Sequence, residues 1–174
     1  IPMIVAGDGV PEGHVVDTMA SLIDIYPTVM DAVGIPKQKD DRYFPGASLF
    51  DLANGGDPNR IAFAEFHAAA SNTGNFMIRK GDMKFVYYVG YPNQLFDLAN
   101  DPEELKDVAD DANYLSVREE MEVLLRSIVD PELVDAKAKA DQATRIVAHG
   151  GRKAILNKGS FGATPAPGEA VVFK

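Results

Sequence analysis

The polar side chains best suited to chemistry in this chain follow one extended apolar run. That run ends at His67, and a segment of small and polar residues continues to Asn75. Imidazole, hydroxyl and amide groups on a loop at the end of a strand are suited to holding a substrate by hydrogen bonds. The alternative is a histidine that fills a structural position near the edge of a sheet. We expect four residues of this segment to contact substrate: His67, Ser71, Asn72 and Thr73.

The two remaining histidines are expected to be structural. His14 stands in a loop punctuated by glycine and proline, where exposure is the simplest interpretation. His149 precedes a glycine at the end of a predicted helix, where a cation interacts favourably with the helix dipole.

Two basic residues near a predicted turn are also candidates for binding an anion. Arg79 and Lys84 flank the segment Lys80-Gly81-Asp82. Cross-strand pairing with Asp82 or Asp97 is the favoured interpretation, because opposite charges on neighbouring strands attract each other.

The elements around this segment predict an antiparallel sheet. Two aromatic and β-branched runs, 76–79 and 83–89, surround a short turn that contains glycine, which is typical of a β-hairpin. Residues 60–67 and 94–98 supply two further strands, giving four in all. Asp101-Pro102-Glu103-Glu104 has the composition of a helix start and predicts that the meander ends in a helix.

A helix over 114–129 is expected to cover one face of the sheet, because apolar residues recur in it at helical spacing. We predict that the core side is formed by Val117, Met121, Leu124 and Ile128.

The amino-terminal part predicts a strand and an amphipathic helix. Residues 1–7 form a short apolar run typical of a buried strand in a parallel sheet. A helix is predicted over 21–33, with Ser21 and Asp24 at capping-box spacing and Gly34 as its end. Its apolar face is predicted to consist of Leu22, Ile25, Val29, Met30 and Val33.

Composition limits the classes of partner. The chain has 174 residues, 46% of them apolar, enough for a folded core, and it holds no apolar run long enough to span a membrane. The net charge of −9 argues against nucleic acid or an anionic membrane as partner. The compartment stays open.

The last 44 residues differ in charge from the rest. Residues 131–174 carry seven Lys or Arg against four acids, a net +3, which leaves −12 for residues 1–130. Asp130-Pro131 predicts a new surface helix over 133–148, ended by Gly150-Gly151. The Gly- and Pro-rich remainder is expected to order only by docking, so this tail is a candidate arm for a homo-oligomer.

An ordered set of short motifs is similar to one known family. The segments FMIR, VYY and QLFDL with DPEE, over 76–104, resemble the carboxy-terminal subdomain of sulfatases, within the alkaline-phosphatase-like superfamily. Upstream, SLIDIYPT at 21–28 and PGASL at 45–49 resemble segments that precede this subdomain. The resemblance covers about residues 1–130 in order and spacing.

The resemblance implies a fold and an activity. The fold class is α/β, as an α+β fragment: a four-stranded antiparallel sheet packed by a helix and preceded by a strand and helix from the edge of the main α/β domain. The corresponding division is 1–57, 58–130 and 131–174. The implied activity is hydrolysis of a small-molecule sulfate ester by the full-length enzyme, with the loop after the first strand near the substrate entrance.

The catalytic core that the resemblance implies is absent from these 174 residues. Sulfatases carry a C/S-x-P/A-x-R segment, whose Cys or Ser becomes formylglycine, and acidic pairs that bind a divalent metal, usually calcium. This chain has no Cys and no Ser in that setting. We therefore expect the metal and formylglycine in the full-length enzyme, an inactive isolated fragment, and the protein's own amino-terminal catalytic domain as a partner.

Two alternatives remain at this point. Phosphonate monoester hydrolases and phosphodiesterases of the same superfamily share this architecture, and the distinguishing residues would again lie upstream. The other alternative is a non-catalytic module for oligomerisation or scaffolding, with residues 131–174 as its arm.

Overall fold

The computed structural model describes residues 3–67 and 71–159. Its centre is a four-stranded antiparallel sheet in the order β1-β2-β3-β4, as predicted. The strands are β1 (Ile61–Phe66), β2 (Asn75–Lys80), β3 (Met83–Tyr88) and β4 (Gln94–Asp97). Each strand pairs with the next one along the chain, so the sheet is a simple meander.

The strand register aligns three apolar side chains across the sheet. Ile78 on β2 lies opposite Phe85 on β3, which in turn lies opposite Leu95 on β4. All three are completely buried. Because successive strand residues face opposite sides, this row and Phe76 define the core face of the sheet.

Helix α3 (Leu115–Ile128) covers that face, which confirms the predicted packing. Met121 and Leu125 are its buried residues. The predicted contribution of Ile128 is wrong, since that side chain is 47% exposed and Leu125 fills the core instead. Ile128 is the last residue of the helix and therefore has no following turn to cover it.

The predicted helix after β4 does not form. Among residues 98–114 the backbone makes turns, and Glu104 has the positive φ of 57° that interrupts a helix. The Asp101 carboxylate accepts a hydrogen bond from the Lys106 amide, so it caps a loop rather than a helix. This loop places Val108 and Ala109 in the core.

The amino-terminal segment also departs from the prediction. Residues 3–6 form no strand, and Ile4 is 90% exposed. A buried strand requires hydrogen-bonded neighbours, and the sheet described here offers none to this segment.

The capping box at Ser21 and Asp24 is confirmed, and a short 3₁₀ turn, Leu22–Asp24, leads into helix α1 (Ile25–Ala32). Gly34, with φ of +70°, follows the helix as predicted. The predicted apolar face is exposed, since Leu22, Val29 and Val33 are all more than half exposed. No described element covers that face.

A buried ion pair connects this part to the sheet. The Asp24 side chain has no exposed surface, and its two oxygens accept hydrogen bonds from Arg60 in a bidentate pair. The amides of Ser21 and Ala47 donate to the same carboxylate at 2.7 and 2.9 Å. Burial acts to raise the pKa of Asp24, but these hydrogen bonds outweigh it and hold the pKa below its ordinary value.

The connector between α1 and the sheet approaches α1 closely. A Cβ at Gly46 would lie 2.5 Å from the Ile23 carbonyl oxygen and 2.5 Å from the Phe44 ring, so the PGASL motif requires glycine there. Helix α2 (Leu49–Ala53) follows, with the Ser48 hydroxyl accepting from the Phe50 amide.

Two helices follow the sheet subdomain. Helix α4 (Pro131–Ala148) confirms the predicted helix, with the Asp130 carboxylate capping the Leu133 amide at 3.0 Å. Gly150, with φ of +87°, ends it, but helix α5 (Gly151–Lys158) begins immediately afterwards, which the sequence did not predict. The predicted docking tail lies mostly outside the described residues. The division into 1–57, 58–130 and 131–174 stays a prediction.

Replacing Arg60 by methionine tests the buried ion pair. Arg60→Met leaves the Asp24 carboxylate buried without its charged partner, and we expect the free energy of unfolding to fall by about 3–5 kcal/mol. Arg145→Met, at an exposed position on α4, is the control and should change it by less than about 0.5 kcal/mol. Urea denaturation measures both, and equal losses for the two variants would contradict the assigned role.

Candidate functional site

The loop that follows β1 closes at one edge of the sheet. Phe66, the last residue of β1, lies opposite Asn75, the first residue of β2. His67 and Gly74, which flank these two strand ends, therefore lie at the same end of the strands, and α4 contacts both of them.

The four predicted site residues lie around one recess. The structure thus brings together the side chains that the sequence placed in one loop: His67, Ser71, Asn72 and Thr73. The opposite wall comes from α4, whose residues the sequence analysis did not assign to a site. This wall consists of Asp135, Ala138, Lys139 and Gln142.

The side chains of two of the four predicted residues donate hydrogen bonds within the protein. The buried Thr73 hydroxyl donates to the Val89 carbonyl oxygen at 2.8 Å, which ties the loop to the residue after β3. The Ser71 hydroxyl donates to the Thr73 carbonyl oxygen at 2.5 Å. Asn72 is exposed at the rim of the recess. Asn72 is thus the loop side chain most available to a ligand, and Thr73 has a structural role.

His67 is the unusual residue of the site. Both of its ring nitrogens are buried, and neither has a hydrogen-bond partner among the described residues. The nearest carboxylate oxygen, on Glu65, is 3.9 Å from Nε2, which is too long for a hydrogen bond. Its ring contacts the edge of Phe76 at a centroid distance of 5.2 Å. Since buried polar atoms are normally paired, this imidazole has unused capacity to bind a polar group.

Gly74 leaves room for that imidazole. A Cβ at Gly74 would lie 2.7 Å from Cε1 and 2.9 Å from Nδ1 of His67, so only glycine allows this position of the ring. The Gly74 amide donates to Oδ1 of Asp135 at 2.6 Å.

Asp135 is the buried residue of the recess that sequence reasoning missed. It is only 5% exposed, although it lies on a helix that is otherwise largely exposed. Burial acts to raise the pKa of Asp135, but the hydrogen bonds from Lys139 and the Gly74 amide outweigh it and lower the pKa below its ordinary value. An acid four residues before a lysine is the only sequence signal, and that spacing is common on exposed helices.

The two basic residues of the hairpin serve the fold rather than this site. The Arg79 guanidinium donates to the Gly81 carbonyl oxygen at 3.0 Å. Lys84 forms an ion pair with Glu104. The predicted pairing with Asp82 or Asp97 is therefore wrong, because the loop after β4 brings Glu104 to Lys84 instead.

The start of α4 is fixed by a polar cluster of Tyr87, Arg126 and Glu132. Arg126 donates to both carboxylate oxygens of Glu132, at 2.9 and 3.0 Å, and its guanidinium lies over the Tyr87 ring. The Tyr87 hydroxyl donates to Glu132 at 2.6 Å. The hydrogen bonds from Arg126 and then Tyr87 lower the pKa of Glu132 to about 2. This cluster joins α4 to β3 and α3.

The described residues do not form a metal centre. Within 3–67 and 71–159, no group of three or more His, Asp or Glu side chains is arranged to hold a metal ion. No helix in the same ranges has both the length and the apolar character of a membrane span. The recess offers hydrogen-bonding groups and charge to a ligand.

Known proteins are similar in sequence to this chain. The chain matches the family described as N-sulphoglucosamine sulphohydrolase, C-terminal, over residues 1–130. Arylsulfatase K of Danio rerio is 35% identical over 139 residues, which cover 75% of this chain and 26% of that protein. Choline-sulfatase of Rhizobium meliloti (strain 1021) is 33% identical over 157 residues, 86% of this chain and 30% of that protein.

A solved structure agrees with these relatives. A 2-O GAG sulfatase superimposes with a TM-score of 0.52 and 25% identity, covering 70% of this chain and 26% of that one. The fold and the sequence matches together define a carboxy-terminal region of the sulfatase class. The chain belongs to the N-sulphoglucosamine sulphohydrolase C-terminal family. It spans less than a third of the length of the curated relatives named above.

The lowered pKa of Glu132 predicts a loss of stability in acid. Because the pKa is about 2 in the folded protein and 4.5 ordinarily, the stabilisation is complete above about pH 4.5 and is lost as the pH falls towards 2. Glu132→Gln should therefore flatten the decline of unfolding free energy between pH 4.5 and 2, by less than about 1 kcal/mol since the side chain is half exposed. Urea denaturation across this range, with the exposed Glu119→Gln as control, measures the effect. An unchanged slope in Glu132→Gln would contradict it.

Proposed function

We propose that the longer protein to which this chain belongs hydrolyses a sulfate ester, and that these residues shape the entrance of the substrate site. The family and the sulfatase relatives support the class of enzyme. They do not identify the alcohol part of the substrate.

The observation that carries the proposal is the unpaired imidazole of His67. A buried polar group without a partner costs free energy, so its retention in a recess is favoured when a ligand supplies the missing hydrogen bond. Asn72 at the rim and the Lys139 ammonium on α4 offer further donors to a polar ligand. These groups match the oxygen-rich character of a sulfate ester.

The reactive groups of such an enzyme would be supplied by the rest of the longer protein. We propose that its divalent metal, calcium by resemblance, and its formylglycine lie there, because the described residues hold no metal-ligand cluster and the sequence has no C/S-x-P/A-x-R segment. The residues described here then bind and orient the substrate.

The alternatives that the sequence left open are less favoured. The two curated relatives named above are an arylsulfatase and a choline-sulfatase, which favours a sulfate ester. A scaffold role would leave the His67 recess without a purpose, and oligomerisation through residues 131–174 stays a prediction.

Substitution of His67 in the longer protein tests the substrate contact. His67→Ala removes one hydrogen bond to the substrate, and we expect KM for a sulfate ester to rise about five- to tenfold with kcat changed less. His149→Ala, at the exposed end of α4, is the matched control and should leave both parameters unchanged. Steady-state kinetics with sulfate and phosphate esters of one alcohol measures the effect. A preference for the phosphate ester, or an unchanged KM, would refute the respective part of the proposal.

The exposed apolar face of α1 supports the amino-terminal catalytic domain of the same protein as its partner. Leu22, Val29 and Val33 are between 52% and 68% exposed, and Ile4 lies in the same amino-terminal part. Large apolar groups exposed together mark surfaces that are covered by another part of a protein. The relatives are more than three times longer than the matched region, so such a part exists in them.

A polar substitution on α1 distinguishes a covered surface from an exposed one. Val29→Asn should change the free energy of unfolding of the 174-residue chain by less than about 0.5 kcal/mol. In the longer protein the same change buries an amide, and we expect a loss of about 1–3 kcal/mol. Val147→Asn on α4, where Val147 is 76% exposed, is the control in both proteins. Equal effects of Val29→Asn in the short and the long protein would exclude the proposed interface.

A further inference from the structure

Helix α4 contacts both ends of the loop that carries the candidate site. Gln142 donates from its side-chain nitrogen to the His67 carbonyl oxygen at 3.1 Å, where the loop leaves β1. Asp135 accepts from the Gly74 amide at 2.6 Å, where the loop returns to β2. These two α4 residues are seven positions apart, about two helical turns, so they lie on one face of the helix. One helix face therefore holds the two ends of residues 67–74.

The hydrogen bond that Asp135 accepts from the Gly74 amide is the stronger of the two contacts. A hydrogen bond to an ionised carboxylate is about twice as strong as one between neutral groups. Asp135 is also 5% exposed and is paired with Lys139 at 2.7 Å, so its carboxylate is fixed in the position that the Gly74 amide requires.

Gly74 and the His67 ring are close neighbours. The ring packs against the space where a Cβ of Gly74 would stand, within 3 Å of it. A shift of the Gly74 backbone would therefore displace or release the imidazole. Asp135 acts on His67 through Gly74, without touching the ring nitrogens itself.

We propose that α4 positions the loop of the candidate site and that Asp135 is a positioning residue, which sets the orientation of His67 towards the substrate through the Gly74 amide. The inference rests on the proposed function, in which the loop contacts substrate.

The first test uses the 174-residue chain and does not depend on activity. Asp135→Ala should lower the hydrogen-exchange protection of the Gly74 amide about tenfold or more and shift the NMR signals of the His67 ring. Protection of the core amides of Phe85 and Leu125 should remain, which shows that the sheet is folded. Asp141→Ala, at an exposed position on the same helix, is the control. If Asp135→Ala proves unfolded, Asp135→Asn replaces it, with a smaller expected change. Unchanged Gly74 protection would overturn the proposal.

The second test uses the longer enzyme and separates this inference from the proposed function. Asp135→Ala should raise KM for the sulfate ester about five- to tenfold, and should add little in a His67→Ala background, because both substitutions remove the same contact. If His67→Ala raises KM but Asp135→Ala does not, the positioning role is wrong. If the Asp135→Ala effect on KM persists in full without His67, Asp135 acts by another route and the inference is also wrong. If His67→Ala itself has no effect, the proposed function fails, whatever the NMR result.

Discussion

The described structure depends on the burial of one charge. Placing the Asp24 carboxylate out of contact with water is unfavourable unless every lone pair is used, and here the guanidinium of Arg60 and two backbone amides use them. These donors come from three separate parts of the chain: the start of α1, the connector at Ala47 and the residue before β1. Arg60 also donates to the Met19 carbonyl oxygen at 2.7 Å. One carboxylate therefore fixes where the first strand of the sheet begins relative to α1.

Much of the fold could be predicted from the sequence because its signals are local. The hairpin between β2 and β3 follows from alternating apolar residues around Gly81, and the start of α4 follows from Asp130-Pro131. The ordered sulfatase motifs added the topology, which the solved structure confirms. The candidate site loop was predictable for the same reason, since a strand end and its polar residues are visible in one short segment.

The errors lie where distant parts of the chain meet. Asp101-Pro102 has the composition of a helix start, yet Glu104 pairs with Lys84 and its positive φ prevents the helix. The face of α1 is apolar in sequence but exposed, because burial depends on a partner surface that no sequence pattern of α1 specifies. Asp135 was missed since a contact over 61 residues leaves no periodic signal. Packing partners, rather than propensities, decide these cases.

The recess wall formed by residues 71–74 divides into positions with very different mutational tolerance. Thr73 is tied to the strand by its hydroxyl, and Gly74 has no room for any larger side chain. Asn72 is exposed and is subject to neither of these constraints. Natural variation or laboratory evolution can thus change the chemical character of this recess at a single codon, while the backbone on either side stays constrained by its neighbours.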